Sequence, residues 1–331
     1  MRRWELIDKG EPGTNLELVE VPDPELRAGQ LLVEVEAVGL AFPDVLQCRG
    51  IYQVPTPPRF TPGGETAGRV AALGDGVEGF AVGDRVAVMG GGLAKKVAVA
   101  AQSAFVVPDG VSAEAAAAIP INYGTTWYAL HERGHLQPSE TMLVTGAAGG
   151  TGTAAIQLGK AAGARIIAVA GGAEKVKLAE EVGADVVIDH QQTPDWVDAV
   201  REASGGGVDV AYDPVGGDTF HQVRRCMAWG GRLLIIGFVA GIPDAPMNHV
   251  LLKSYDIVGV HWGASVMRDP SSVRRQMDAV FELVGRGEFT PPLYPPFAFE
   301  DAATALQDLA DRKTWGKAVV KLPSLRGEGA R

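Results

Sequence analysis

Seven residues carry the first chemical signal in the chain, Gly146-Ala-Ala-Gly-Gly-Thr-Gly152. The apolar run Met142–Thr145 leads into them and an apolar helical segment, Thr151–Ala162, leads out. A glycine cluster in that setting does phosphate work. Gly149 is expected to permit the tight turn, Gly150 to let backbone approach a pyrophosphate, and Gly152 to let the helix pack closely on the strand. Amides of the first helical turn, Thr151 among them, then receive the phosphate charge with the helix dipole behind them. Gly146 and Ala148 complete the cofactor loop. A turn that merely joins strand to helix is the plainer alternative, and the ordered strand, turn, helix and second strand argue against it.

The second strand indicates which dinucleotide. A site for NAD places an acid near the end of that strand, roughly 20 residues beyond the turn. Here Arg165–Ala170 runs into Gly171 and Gly172, and no acid appears before Glu174. Lys175 falls in the first turn of the next helix, where a cation opposes the helix dipole unless an anion is near. The 2′-phosphate of NADPH is such an anion, and Gly171 and Gly172 leave room for it. NADPH is the expected cofactor. The alternative for Lys175 is a solvated lysine paired with a neighbouring acid.

The elements that hold these residues alternate. Strands at Met142–Thr145, Arg165–Ala170, Asp185–Ile188, Val208–Tyr212 and Gly231–Ile236 are interleaved with helices at Thr125–Arg133, Thr151–Ala162, Ala173–Val182, Pro194–Ser204 and Thr219–Met227. The strands are nearly continuous apolar runs, which suits a parallel sheet covered on both faces. Tyr255–Trp262 supplies an edge strand, and a helix at Ser271–Arg286 follows. Residues 1–110 read differently, as short strands (Leu31–Val38, Thr66–Leu73, Arg85–Met89, Lys96–Ala100) cut by Pro/Gly/Asp turns. Ser112 is an N-cap for Ala113–Ile119. Helix Glu300–Asp311 and strand Lys317–Leu322 return to this first part, and the tail 324–331 is expected to fray.

Composition limits the alternatives. The 331 residues are 46% hydrophobic and 21% charged, enough for large cores and against whole-chain disorder. A net charge of −10 lacks the basic footprint of a nucleic-acid binder. Cys48 and Cys226 are too few for a disulfide framework or a four-thiolate zinc site. No apolar signal core or membrane-length stretch is present, so a cytoplasmic setting is expected.

Together these segments resemble the medium-chain dehydrogenase/reductase superfamily, and within it the zinc-free NADPH:quinone oxidoreductases related to zeta-crystallin. The resemblance rests on Gly39-Leu-Ala-Phe-Pro-Asp-Val45, Arg49-Gly-Ile-Tyr-Gln53, Pro62-Gly-Gly-Glu-Thr-Ala-Gly68, Gly83-Asp-Arg-Val86, Ala147–Gly152, Gln157-Leu158, Asp209–Gly217 and Gly316-Lys317. It implies an α/β fold with a GroES-like barrel domain, residues 1–122 and 290–331, around a doubly wound parallel Rossmann domain, residues 123–289. The positions that look like zinc ligands in the alcohol dehydrogenases are Ala41, Gly64 and Ile121, none of which is a donor. The six histidines show no metal-ligand spacing. No metal is expected, and without a Lewis acid alcohol oxidation is disfavoured.

An electron-poor quinone or enone accepts hydride without that help. The resemblance also places Thr125, Gly237-Phe238-Val239 and His190 beside the cofactor and Lys317 at its phosphates. Ala41, Tyr52, Phe238 and Trp262 are implied to line the acceptor. The family's usual Asn is replaced by Ala41, while Asp44 reads as structural. Tyr52 is the candidate proton donor, because related enoyl-thioester reductases use a tyrosine there. Three functions follow: an NADPH-dependent quinone reductase, an enone or enoyl-thioester reductase, and an NADPH-binding structural or RNA-binding protein. The exposed edge near Asp256–Val260 points to a homodimer.

Overall fold

The computed structural model describes residues 1–323, so the tail 324–331 lies outside the described residues. The chain divides into two compact units, Met1–Ile121 with Met277–Arg331, and Asn122–Gln276. In chain order the first unit supplies β1 (Arg2–Leu6), β2 (Leu16–Glu20), β3 (Gln30–Gly39), β4 (Glu65–Leu73), β5 (Arg85–Met89), β6 (Lys96–Ala100) and β7 (Ala104–Val106). The second supplies β8 (Thr141–Val144), β9 (Arg165–Ala170), β10 (Val186–Asp189), β11 (Val208–Asp213), β12 (Met227–Ile235) and β13 (Asp256–Gly259). The chain then returns to the first unit with β14 (Phe297–Ala298) and β15 (Val319–Lys321).

The second unit is a parallel sheet in the order β10-β9-β8-β11-β12-β13. Counted from β8 this is the 3-2-1-4-5-6 order of the dinucleotide-binding folds, with its switch point between β8 and β11. The apolar strands are buried as their sequences require, with Leu143, Ile167, Val208 and Leu233 packed against Trp196, Val200 and Phe220. Helices Gly150–Ala161, Ala173–Glu181, Val197–Ala203 and Gly217–Cys226 connect the strands.

The first unit is mostly antiparallel, with path β14-β15-β3-β4-β5-β7 and β6 paired to β3. Along β3, Leu31, Val33, Val35 and Ala37 are buried while Gln30, Leu32, Glu34 and Glu36 are half-exposed. A one-residue slip would turn all four outward, at about 1.5–3 kcal/mol for each of the larger side chains. Phe299, Ala302, Ala305 and Leu306, from helix Ala302–Ala310 and the turn before it, close this core.

Three elements depart from the sequence expectations. Ser112 does cap its helix, its Oγ accepting from the Ala115 amide at 3.1 Å, but the helix stops at Ala116. Pro120 starts a new helix, Pro120–Trp127, and disfavours helical geometry in the residue before it. Tyr128–Arg133 then widens into a π-turn, with the Gly134 amide donating to Ala129 O at 2.7 Å. The return to the first unit falls at 277 rather than 290, inside helix Pro270–Gly285. Phe281 meets Phe105 there with ring centroids 6.4 Å apart, so the apolar second half of the helix belongs to the first unit.

Candidate active site

β8 delivers the chain to Gly146, whose φ of +56° is the left-handed conformation that glycine tolerates best. The tight turn therefore sits at Gly146 and not at Gly149, whose φ of −84° and ψ of 171° suit any residue. Gly149 is instead the N-cap of Gly150–Ala161. A Cβ on Gly152 would lie 2.2 Å from Gly146 O and 2.8 Å from Ala147 Cα, so this glycine is what lets helix and turn touch. Thr153 N closes the first helical bond to Gly149 O at 2.9 Å. The amides of Gly150, Thr151 and Gly152 precede that bond and have no acceptor inside the helix. Ala148 is buried, leaving backbone as the polar surface of the turn.

The Thr151 hydroxyl bonds the buried Tyr212 phenol, whose Oη also lies 2.9 Å from Thr126 Oγ1. This brace between helix start and β11 was not foreseen, because Tyr212 reads as one more apolar strand residue. Thr125, the expected cofactor contact, is half-buried beside it.

At the end of β9, Gly172 caps Ala173–Glu181 with φ +87°. Its amide donates to Asp189 Oδ1 at 3.0 Å, and the Gln191 amide donates to the same oxygen at 2.9 Å. These bonds hold the Asp189 carboxyl below its ordinary pKa. The space expected beside Gly171 is occupied, since a Cβ there would come within 2.4 Å of His190 Nε2. Gly171 thus seats an imidazole at the strand end. Lys175 is the third residue of the adjoining helix and half-buried.

Across the switch point, Asp213 ends β11. Its Oδ1 accepts from Thr145 Oγ1 at 2.7 Å and from the Val215 and Gly216 amides at 3.0 and 3.3 Å. Burial raises its pKa against those three bonds. The loop with Gly237, Phe238 and Val239 is clasped to this turn by Val239 N to Pro214 O (3.3 Å), Ala240 N to Val215 O (2.8 Å) and Gly217 N to Gly241 O (2.8 Å). Phe238 lies over Gly216 and is 39% exposed, so its ring is available to a ligand.

Trp262 is different. It is 5% exposed, its Nε1 donates to Gln276 Oε1 at 2.6 Å, and its ring fills the space a Gly124 Cβ would need. It packs the interior, and the expectation that it walls the acceptor is corrected.

In the first unit, Ala41 is the N-cap of helix Phe42–Cys48. The Asp44 carboxylate turns back to accept from the Ala41 amide at 2.8 Å and from the Gly63 and Gly64 amides at 2.9 and 3.2 Å. Burial raises the Asp44 pKa, opposed by these bonds. A Cβ on Gly64 would lie 3.0 Å from Ile121 Cδ1, so the isoleucine fills the space into which a ligating side chain at 64 would project. Ala41, Gly64 and Ile121 offer no donor atom and no room for one. A zinc ion does not fit these residues. Among the described residues no group of three histidine, cysteine, aspartate or glutamate side chains is arranged to hold a metal.

Lys317 also departs from its expected place at the phosphates. Its Nζ pairs with Glu65 Oε1, with 3% and 0% of the two side chains exposed. Glu65 Oε2 accepts the Ile121 amide at 2.8 Å, and burial raises the Glu65 pKa against Lys317. An ammonium committed to a dry carboxylate is not offered to a solvated anion. Tyr52 is half-buried, and its hydroxyl makes no hydrogen bond among the described residues. Burial and then the charge of Asp44 raise its pKa, so it stays protonated at neutral pH. Both cysteines are free and buried, their thiols pushed up to about 12 by burial.

A glycine turn at the switch point of a 3-2-1-4-5-6 sheet, with a separate antiparallel unit built from both chain ends, is the architecture of the medium-chain dehydrogenases and reductases. Comparison with known proteins agrees. Residues 27–109 match the alcohol dehydrogenase GroES-like domain, and residues 150–282 match the zinc-binding dehydrogenase family. Quinone oxidoreductase-like protein 2 of Mus musculus is 35% identical over 312 residues, covering 93% of this chain and 89% of its own. The quinone oxidoreductase of Thermus thermophilus, solved also in complex with NADPH, superposes with a TM-score of 0.82 at 34% identity over 97% of this chain and 100% of its own. The CurK enoyl reductase superposes with a TM-score of 0.88 at 25% identity over 97% and 99%. The chain belongs to the zinc-free quinone oxidoreductase family of this superfamily.

Proposed function

We propose that this oxidoreductase reduces quinones at the expense of NADPH. When bound, NADPH supplies the hydride. The amides of Gly150–Gly152 would hold its pyrophosphate, and Lys175 with His190 its 2′-phosphate; Thr125, Gly237, Phe238 and Val239 would flank its nicotinamide. One observation carries the choice of acceptor: Ile121 fills the space beside Gly64, and Asp44 is spent on three backbone amides. Nothing in this constellation can polarise an alcohol through a metal, so the acceptor has to be electron-poor on its own account. Phe238, exposed over Gly216, would meet it. Quinone oxygens take protons from water, and the protein's part is then proximity and orientation.

The hydroxyl of Tyr52 favours a second reading, reduction of an enone or enoyl thioester. A protonated phenol with no bond of its own is suited to protonate the carbon beside a reduced double bond. Tyr52→Phe separates the two. Quinone turnover within about threefold of the parent supports the first reading, and a loss of roughly a hundredfold with an enone supports the second. Steady-state rates with both acceptors decide.

We also propose that β13, at the edge of the six-stranded sheet, pairs with its copy in a homodimer. Light scattering after size exclusion should give twice the chain mass; a monomer at micromolar concentration would contradict it.

A further inference from the structure

A second polar cluster lies in the Asn122–Gln276 unit, at the opposite end of the sheet from the glycine turn. Arg224 stands near the end of helix Gly217–Cys226, just before β12 begins, and Tyr255 directly precedes β13. Both are therefore at the amino ends of parallel strands, whereas the glycine turn follows the carboxyl end of β8. His249, on helix Met247–Lys253, meets Tyr255 edge to face with ring centroids 5.9 Å apart.

Three polar atoms here are buried without a hydrogen-bond partner among the described residues: Arg224 Nε, His249 Nδ1 and Tyr255 Oη. Tyr255 is 2% exposed. Such atoms are rarely left unpaired in native proteins. Arg224 Nε and Tyr255 Oη can donate, as can His249 Nδ1 in one tautomer; on the Arg224 helix Gln222 Oε1, an acceptor, is buried without a partner too. The charges acting on the two rings are all positive. Burial lowers the His249 pKa and Arg224 and Lys253 push it the same way, while Arg224 is the charge opposing burial at Tyr255. Lys253 donates to the carbonyls of Arg225 and Met227 at 3.0 and 3.1 Å, and Arg201 adds its field to Lys253. Asp195 pairs with Arg225 at 3.5 Å, and Asp256, next to Tyr255, opens β13 at the same end of the sheet. The field around these atoms is positive, and no carboxylate among the described residues bonds any of the three. A tetrahedral oxyanion supplies both lone pairs and negative charge.

We propose that Arg224, His249 and Tyr255 form a binding site for a phosphate-type oxyanion, distinct from the dinucleotide seat. Arg224 provides the charge, and Tyr255 and His249 fix the oxygens. The site does not depend on which acceptor the enzyme reduces.

The test uses full-length protein saturated with NADP⁺, so that the glycine turn is already filled. Thermal melting is followed against inorganic phosphate, with chloride at matched ionic strength as the reference. The melting temperature should rise saturably with phosphate alone. Arg224→Gln should raise the half-saturating concentration about tenfold or more, and Tyr255→Phe about threefold, as expected for lost charged and neutral hydrogen bonds. The turnover of both variants should stay within about twofold of the parent, as the site is remote from the glycine turn. Coincident phosphate and chloride curves would overturn the proposal, as would two variants that respond like the parent. If Arg224→Gln does not fold, Tyr255→Phe and phosphorus NMR decide: a phosphate resonance left unchanged by the NADP⁺-saturated parent refutes the site.

Discussion

Breaking the Lys317–Glu65 pair gives the sharpest test of how the first unit is held together. The partners are 252 positions apart, joining the chain's return segment to β4, and both are out of solvent. Lys317→Met leaves Glu65 in the interior with the Ile121 amide as its remaining bond. Removing one member of a buried pair costs about 3–5 kcal/mol, whereas replacing both with neutral groups of similar shape is often neutral or stabilising. The single variant should therefore melt roughly 6–20 °C lower, at 2–4 °C per kcal/mol for a unit of this size. Lys317→Met with Glu65→Gln should recover most of that loss, because glutamine still accepts from Ile121.

The loss also depends on pH in a definite direction. The folded Glu65 pKa lies above its ordinary value of 4.5, and Lys317 is the first influence lowering it. Without Lys317 it rises further. Between the unfolded and folded values the native state binds more protons, so stability falls as pH rises through that window. Lys317→Met should thus be relatively more stable near pH 5 than at pH 7. Calorimetry of the parent, single and double variants checks this. A single variant within about 1 kcal/mol of the parent, or a double variant as unstable as the single, would mean that the pair is not holding a buried charge in place. The double variant should also keep its NADPH KM; a marked rise would restore Lys317 to the phosphates.

Gly152→Ala forces a Cβ to within 2.2 Å of a backbone carbonyl. It should destabilise the second unit by at least about 1–3 kcal/mol and sharply weaken NADPH binding, both measurable by melting with and without cofactor. Lys175→Ala should raise the KM for NADPH about tenfold and that for NADH less than twofold; equal effects would remove the lysine from the 2′-phosphate. Trp262→Phe leaves Gln276 Oε1 without its donor in a buried position. It should cost about 1–3 kcal/mol while leaving acceptor KM unchanged, consistent with a packing role.

The sequence made the second unit legible because its strands are buried on both faces. Runs such as Ile166–Val169 and Leu233–Ile236 have few alternatives, and the strand Arg165–Ala170 matches its expected span. Local signals such as Ser112 were equally plain. What depended on distant partners was not. Lys317 stands next to Gly316 in a family motif, and nothing nearby announces that Glu65 will claim it. Gly171 appeared as empty room because the ring that fills it comes from β10's end, at His190. Gly146 takes a positive φ and Gly149 a negative one, a difference that a glycine-rich string does not reveal. Tyr212 and Asp213 give no signal because strand burial hides a polar end, and Thr126 gives none because it lies buried on a helix.

On the proposed reading, hydride moves from NADPH to an electron-poor acceptor with no metal at Ala41, Gly64 and Ile121. The direct measurement is anaerobic NADPH oxidation by protein dialysed against a strong chelator, with metal content assayed, across quinones, enones, enoyl-CoA and alcohol-derived carbonyls. Full quinone turnover is expected at less than about one-tenth of a metal ion per chain. Activity that vanishes on chelation and returns with added zinc would contradict it.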